Sequence, residues 1–294
     1  MSKVIVFKIK LEKMKIAVTG ASGQLGRLVI EDLKEKTSVE NIVALVRDPQ
    51  KIADLEVEAR KFDYDNPRLL SEALIGIDKL LLISGSEIGK RLSQHTNVIE
   101  AAKNAGVKII AYTSLLKADT STLGLAGEHV GTEDVLKKSG VPYVILRNGW
   151  YTENYTGSLH QVIGLGTLYG SSGEGKISSA TREDYAAAAA TVLTSEGQEG
   201  KEYELAGDEA FTMKDYATEI SRQTGKDIPY VNLPENDYAQ ALVKGGLPEG
   251  FAKFLASSHV STEKGDLFDD GHQLSKLIGR PTTPLSKAIS AALA

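Results

Sequence analysis

A glycine-rich turn, Gly20-Ala21-Ser22-Gly23-Gln24-Leu25-Gly26, follows an apolar run at residues 15–19 and opens directly into a helical pattern. Such a turn lets the backbone come close to a pyrophosphate, while the helix start offers unpaired N–H donors at the positive end of its dipole. The G-x-x-G-x-x-G spacing departs from the G-x-G-x-x-G of most dinucleotide folds. It also lacks the lysine and hydroxyl residue of a triphosphate-binding loop, which disfavours nucleoside triphosphate hydrolysis. The alternative is a plain tight strand-to-helix connection. A second candidate is Arg47, which follows the apolar run 42–46 at a position where folds selective for NAD carry a carboxylate. A guanidinium there suits the 2′-phosphate of NADP(H) through paired, charge-assisted bonds. The alternative is a solvated arginine paired with Asp48.

Holding such a turn requires strands that alternate with helices, and the chain supplies them. Strands are expected at residues 15–19, 42–46, 58–62, 79–83, 108–113 and 143–147, with helices between them at 24–36, 66–74, 94–105 and 128–139. The strand runs read as apolar on both parities, the pattern of a sheet covered on both faces. The fold expected is therefore α/β, a Rossmann-type doubly wound parallel sheet. Ligands of such sheets bind beyond the carboxyl ends of the strands. That adds Ser84, Gly85, Ser86, Glu87 and Ile88 after the fourth strand. After the sixth it adds Asn148, Gly149, Trp150, Tyr151, Thr152, Glu153 and Asn154.

Beyond Arg147 the rhythm changes to a glycine-rich stretch at 164–175 and an alanine-rich helix at 184–193, with Asp184 as its cap and Arg182 structural. A strand at 203–206, helices at 212–223, 234–243 and 248–256, and a last helix near the end complete a smaller, mostly helical C-terminal lobe. The expected division is an N-terminal extension at 1–13, a dinucleotide-binding domain at 14–155, and a substrate lobe at 156–294 with segments returning to the first domain.

With 294 residues and 41% hydrophobic content, a large core is available. The weakly acidic net charge of -5 argues against nucleic-acid or anionic-membrane partners, which call for a basic face. The absence of cysteine excludes disulfides, thiolate metal sites and cysteine nucleophiles, and the five scattered histidines lack ligand-like spacing, so no metal site is expected. No apolar run approaches the roughly 20 residues that span a bilayer, and residues 1–13 lack the apolar block of a signal peptide. The expected location is cytoplasmic.

At the motif level the sequence resembles the short-chain dehydrogenase/reductase superfamily in its atypical NmrA-like branch. Within that branch it looks like the type 2 NAD(P)H:quinone oxidoreductases. The resemblance rests on Ala17-Val18-Thr19 with the glycine turn, Leu81-Leu82-Ile83-Ser84, Ala111-Tyr112-Thr113-Ser114-Leu115-Leu116 and Leu146-Arg147-Asn148-Gly149-Trp150-Tyr151. It continues through Ala180-Thr181-Arg182-Glu183-Asp184-Tyr185-Ala186 to Leu274-Ser275-Lys276-Leu277-Ile278-Gly279. It implies NADP(H) as cofactor, favours the 2′-phosphate role for Arg47, and sets Asp63 beside the adenine edge, although an aspartate in a turn is an equally ordinary finding.

Superfamily members that reduce ordinary carbonyls carry Tyr-x-x-x-Lys, because an alkoxide must be protonated. None of the 11 tyrosines here has a lysine four residues later, and residues 128–132, where the motif would fall, contain no tyrosine. Hydride addition to a quinone tolerates that loss, since it yields a stabilised hydroquinone anion. The resemblance thus implies NADPH-dependent, flavin-independent quinone reduction. Tyr151 and Asn154 are the candidates to position the acceptor, beside Trp150 as a stacking surface, although Trp150 and Tyr151 also suit a core aromatic role. Lys176, in the glycine-rich stretch 170–176, is the candidate to face an oxygen that gains charge, with that stretch as a flap. A hairpin carrying a surface lysine is the alternative. The rival function is a non-enzymatic NADP(H)-binding redox sensor acting through a protein partner. The sequence leaves open the physiological quinone and a choice between monomer and dimer.

Overall fold

Strands β1 (Ile16–Thr19), β2 (Ile42–Val46), β3 (Glu58–Lys61), β4 (Lys79–Leu82), β5 (Ile109–Leu115), β6 (Tyr143–Asn148) and β8 (Glu202–Leu205) form one sheet in the order β3-β2-β1-β4-β5-β6-β8. The computed structural model describes residues 14–294, and the extension expected at 1–13 lies outside them. The pairings from β3 through β5 are parallel. The chain order reverses between β1 and β4, the place where doubly wound sheets open a crevice for ligands. Every residue of β1, β2 and β4 is buried, which explains the apolar runs at residues 16–18, 42–46 and 80–82 within them. β3 departs from that expectation. Its sequence Glu-Ala-Arg-Lys lies at the sheet edge and is largely exposed, and charged side chains there discourage pairing with another chain.

The helices between these strands are α1 (Gln24–Lys34), α2 (Pro67–Ala73), α3 (Arg91–Ala105) and α4 (Ala126–Lys138). Two compact units are distinguished. The first runs to Leu115 and adds Gly127–Arg147 and Arg182–Tyr203; the second comprises Leu116–Ala126, Asn148–Thr181 and Glu204–Ala294. Helix α7 (Arg182–Thr194), in the first unit, packs on α1. Its Ala186, Ala188, Ala189 and Ala190 are buried, and small side chains let two helices approach closely. Asp184 is not its cap. The helix starts two residues earlier, and Asp184 lies fully buried in the first turn. Lys79, at the start of β4, is buried with its Nζ donating to the Leu193 carbonyl at 2.7 Å, which satisfies the carboxyl end of α7.

In the second unit, α5 (Glu153–Thr156), α6 (Leu159–Leu165) and α8 (Met213–Thr224) accompany a small parallel pair, β7 (Leu168–Gly170) with β9 (Tyr230–Asn232). Helices α9 (Glu235–Lys244) and α10 (Glu249–Glu263) pack on each other, and α11 (Gln273–Ile278) and α12 (Leu285–Leu293) complete the chain. No helix among the described residues is long and apolar enough to cross a membrane.

Candidate active site

The glycine turn between β1 and α1 is closed by a hydrogen bond from the Gly23 N–H to the Gly20 carbonyl, 2.8 Å long. Gly20 adopts φ +59, the left-handed region that suits glycine. A Cβ on Gly26 would stand 2.4 Å from the Gly20 oxygen, so this glycine permits the close packing of helix and turn. Gly23 differs from both. Its φ is -80, and a Cβ would meet only the Gly20 oxygen at 3.2 Å, leaving its outer side clear. No side chain caps the first turn of α1. Ser22, Gly23 and Gln24 are exposed, whereas Ala21 and Leu25 are buried beneath them. Amide donors and a cradle that a side chain would fill are what a pyrophosphate requires.

Arg47 is exposed at the end of β2 and forms no hydrogen bond or ion pair among the described residues. The pairing with Asp48 is absent. Asp48 instead accepts the Gln50 N–H at 3.1 Å and caps the following turn. The Glu87 carboxyl is held below its ordinary range, mainly by Lys90 and Gln94, with a smaller contribution from Arg47. Asp63 accepts the Asp65 N–H at 3.1 Å in a local turn.

Loop 84–88 is held from below by a buried polar network. The Ser84 N–H donates to Thr113 Oγ1 at 2.9 Å, and the Gly85 N–H donates to His95 Nε2 at 3.0 Å. Accepting that N–H leaves the proton on Nδ1, which donates to Thr132 Oγ1 at 3.0 Å; Thr132 in turn donates to the Glu128 carbonyl at 2.9 Å. Arg91 Nε holds the next peptide group by donating to the Gly85 carbonyl at 2.5 Å. The Glu128 carboxylate accepts from the Gly89 and Arg91 N–H groups at 2.9 and 3.2 Å. Burial, reinforced by the Arg91 charge, lowers the His95 pKa to about 4, and His129 behind it falls to about 3 for the same reasons, with His95 adding to the effect. Tyr112 reaches His129 Nδ1 at 2.8 Å, and burial raises its pKa. Ser86, Glu87 and Ile88 project from this base and are exposed.

Residues 148–154 run from the end of β6 into the first turn of α5 and belong to the second unit. The Asn148 carbonyl accepts the Leu116 N–H at 2.9 Å, and the Gly149 N–H donates to the Leu205 carbonyl at 2.8 Å. Asn148 is buried, and its Oδ1 has no hydrogen-bond partner among the described residues. An orphaned buried acceptor on a ligand-binding edge fits a donor supplied by a bound molecule. Tyr151 bridges to Ala180, and Thr152 meets Ser179 through their hydroxyls at 2.9 Å. Trp150, Tyr151 and Glu153 are partly buried, and Asn154 is exposed.

Lys176 is exposed, but stretch 170–176 is not a flap. The Ser172 N–H donates to Tyr230 Oη at 3.2 Å and the Gly173 N–H to Asn232 Oδ1 at 2.9 Å. A Cβ on Gly175 would lie 2.6 Å from the Thr262 carbonyl oxygen. The segment is thus docked flush on α10 and β9, and it is not a hairpin either, since β7 pairs in parallel.

The NmrA-like family pattern matches residues 12–291, and the chain belongs to that family. Quinone oxidoreductase 2 of Escherichia coli (strain K12) is 55% identical over 278 residues, covering 94% of this chain and 97% of that protein. The crystal structure of an NADPH-dependent quinone oxidoreductase from Escherichia coli in complex with NADPH superposes with a TM-score of 0.93 at 54% identity, covering 95% of this chain and 100% of the other. The Citrobacter sp. triphenylmethane reductase complexed with NADP(H) gives a TM-score of 0.91 at 38% identity over 95% of this chain and 100% of its own.

Sequence reasoning missed Arg91, His95, Glu128 and Thr132. A signal was present: His129, Thr132 and Glu133 recur at helical spacing on what proves to be the buried face of α4. Three polar groups on a core-facing stripe call for polar partners.

Proposed function

We propose that this protein reduces quinones by two electrons at the expense of NADPH, without a flavin. The observation that carries the reading is the uncapped first turn of α1 above Gly20, Gly23 and Gly26, with the unpaired Arg47 on the neighbouring strand end. The likeness to the Escherichia coli quinone oxidoreductase over nearly the whole chain supports the choice of acceptor. When bound, NADPH supplies the hydride; the quinone takes it up to become a hydroquinone anion, and a proton from water completes the product.

The chain's own part is to bind, orient and hold charge. The amides of Ser22, Gln24 and Leu25 hold the pyrophosphate, that of Gly23 being spent on the Gly20 carbonyl, and Arg47 holds the 2′-phosphate. Loop 84–88 on its histidine base supports the remaining polar groups of the dinucleotide, and Asn148 Oδ1, in the second unit, accepts from a donor on a bound molecule. Tyr151, Asn154 and Lys176 position the acceptor beside Trp150. Tyr112, with its phenol held protonated by burial and bonded to His129, is no substitute for a tyrosine activated by lysine. Simple ketones are accordingly poor acceptors. Purified, flavin-free protein should oxidise NADPH in the presence of benzoquinones and naphthoquinones and leave simple ketones nearly untouched. Tight NADPH binding with no quinone turnover would refute the reading and leave a redox-sensing role in its place.

A further inference from the structure

Two lysines of the second unit converge on one aromatic ring. The ammonium of Lys117 lies 5.9 Å from the centroid of Phe268, and that of Lys176 lies 5.6 Å from it. Neither ammonium forms an ion pair among the described residues. The Lys117 ammonium has only a long contact, 3.4 Å, with the Gly265 carbonyl. The neighbouring carboxylates are committed elsewhere. Glu204 accepts the Lys117 N–H at 2.8 Å, Asp266 accepts the N–H and hydroxyl of Thr122 at 2.8 and 2.7 Å, and Asp269 accepts the Gly271 N–H at 2.9 Å.

The arrangement is built rather than accidental. Lys117 has φ +52, a conformation that a long side chain adopts only where surrounding bonds enforce it. Its carbonyl is fixed by the N–H groups of Thr120 and Ser121 at 3.0 and 2.8 Å. Phe268 is held on both sides, because Ser178 donates its N–H to the Leu267 carbonyl at 2.8 Å and accepts the Asp269 N–H at 3.2 Å. The same strands of chain reach the acceptor loop. Leu116, next to Lys117, pairs with Asn148, and Ala180, on the segment after Lys176, accepts the Thr152 N–H at 2.9 Å.

We infer that Lys117, Lys176 and Phe268 form a subsite for the anionic substituent of an aromatic acceptor, so that the protein prefers quinones bearing a sulfonate or carboxylate over neutral ones. Two like charges brought to one neutral ring repel each other, and an anion bound beside them relieves that repulsion while the ring offers an apolar surface to the aromatic nucleus. The inference rests on the quinone reading for its substrate class but makes a separate claim about charge.

The test compares a naphthoquinone sulfonate with unsubstituted naphthoquinone, using the wild type, Lys117→Met and Lys117→Arg. Lys117→Met should lower kcat/KM for the sulfonate by roughly five- to tenfold, the loss of one charge-assisted contact at a partly exposed site, and change the neutral quinone by less than about twofold. Lys117→Arg should restore the preference, and added salt should narrow it. Equal losses for both acceptors, or no loss for either, would overturn the inference. Calorimetric titration with 2-naphthalenesulfonate, which cannot be reduced, tests the subsite independently of turnover. Binding that weakens in Lys117→Met supports it, and binding that is absent or indifferent to Lys117 overturns it. If no quinone is turned over, the proposed function fails while the titration still decides the subsite.

Discussion

His95 Nε2 accepts the backbone N–H of Gly85 at 3.0 Å, so a side chain in the buried interior of α3 sets the position of a loop at the ligand edge of the sheet. The bond exists only with a neutral ring. An unfolded histidine takes up a proton near pH 6.5, whereas folded His95 resists until about pH 4. Between those values the unfolded chain binds more protons, so stability present at neutral pH is lost as the pH falls from 6.5 towards 4 and levels off below. At about 1.4 kcal/mol per unit, His95 accounts for roughly 3 kcal/mol of that loss. His129 and buried His259, lowered to about 3 and about 4, act in the same direction. Urea denaturation at a series of pH values should show this slope, and His95→Gln, which retains an acceptor for Gly85, should flatten part of it. An unchanged slope in that variant would remove His95 from the account.

The two later glycines of the turn should separate binding from folding. Gly23→Val, at an ordinary φ with its outer side clear, should keep the fold and lose most NADPH affinity. Gly26→Ala should instead destabilise the protein by on the order of 1–3 kcal/mol, since its Cβ would overlap the Gly20 carbonyl. Thermal melts beside calorimetric NADPH titrations distinguish the two, and unchanged affinity in folded Gly23→Val would contradict the cradle.

Replacing Arg47 with alanine should weaken NADPH roughly ten- to hundredfold, about 1.5–3 kcal/mol for a charge-assisted contact, and leave NADH nearly unaffected. Because Arg47 forms no hydrogen bond or ion pair among the described residues and acts only weakly on Glu87, the variant's melting temperature should hardly move. Equal losses for both dinucleotides would argue against the 2′-phosphate assignment.

Tyr151→Phe and Asn154→Ala should reduce kcat/KM for quinones more than they reduce NADPH affinity, as expected of groups that position the acceptor. Steady-state kinetics paired with cofactor titration reads this directly. A drop confined to NADPH affinity would reassign both residues to the dinucleotide.

The parts of the fold legible in the sequence are those dictated by backbone geometry or by burial on two faces. The glycine turn, Ile42–Val46 and the alanine run of α7 each state their environment in their own residues. Glu58–Lys61 did not, because an edge strand needs apolar residues on neither face, and its pairing is decided by β2. Stretch 170–176 looked like a flap for a similar reason: its glycines answer to Thr262, Glu263 and Tyr230, residues far along the chain whose proximity no local pattern reports. The support beneath Gly85 was hidden because it joins α3 and α4, each of whose polar residues looks ordinary by itself.

The bond from Lys79 to the Leu193 carbonyl also bears on how the chain acquires its structure during synthesis. A nascent chain that has emerged only through β6 possesses six strands of the sheet but neither α7, which covers α1, nor the acceptors for the Lys79 ammonium. Until residue 195 has left the ribosome, that lysine must remain hydrated and α1 must keep an apolar face open to solvent. The first unit therefore cannot mature ahead of the segment 148–181 that interrupts it, and a fragment ending at Asn148 should behave as an aggregation-prone intermediate rather than as an independent dinucleotide-binding domain.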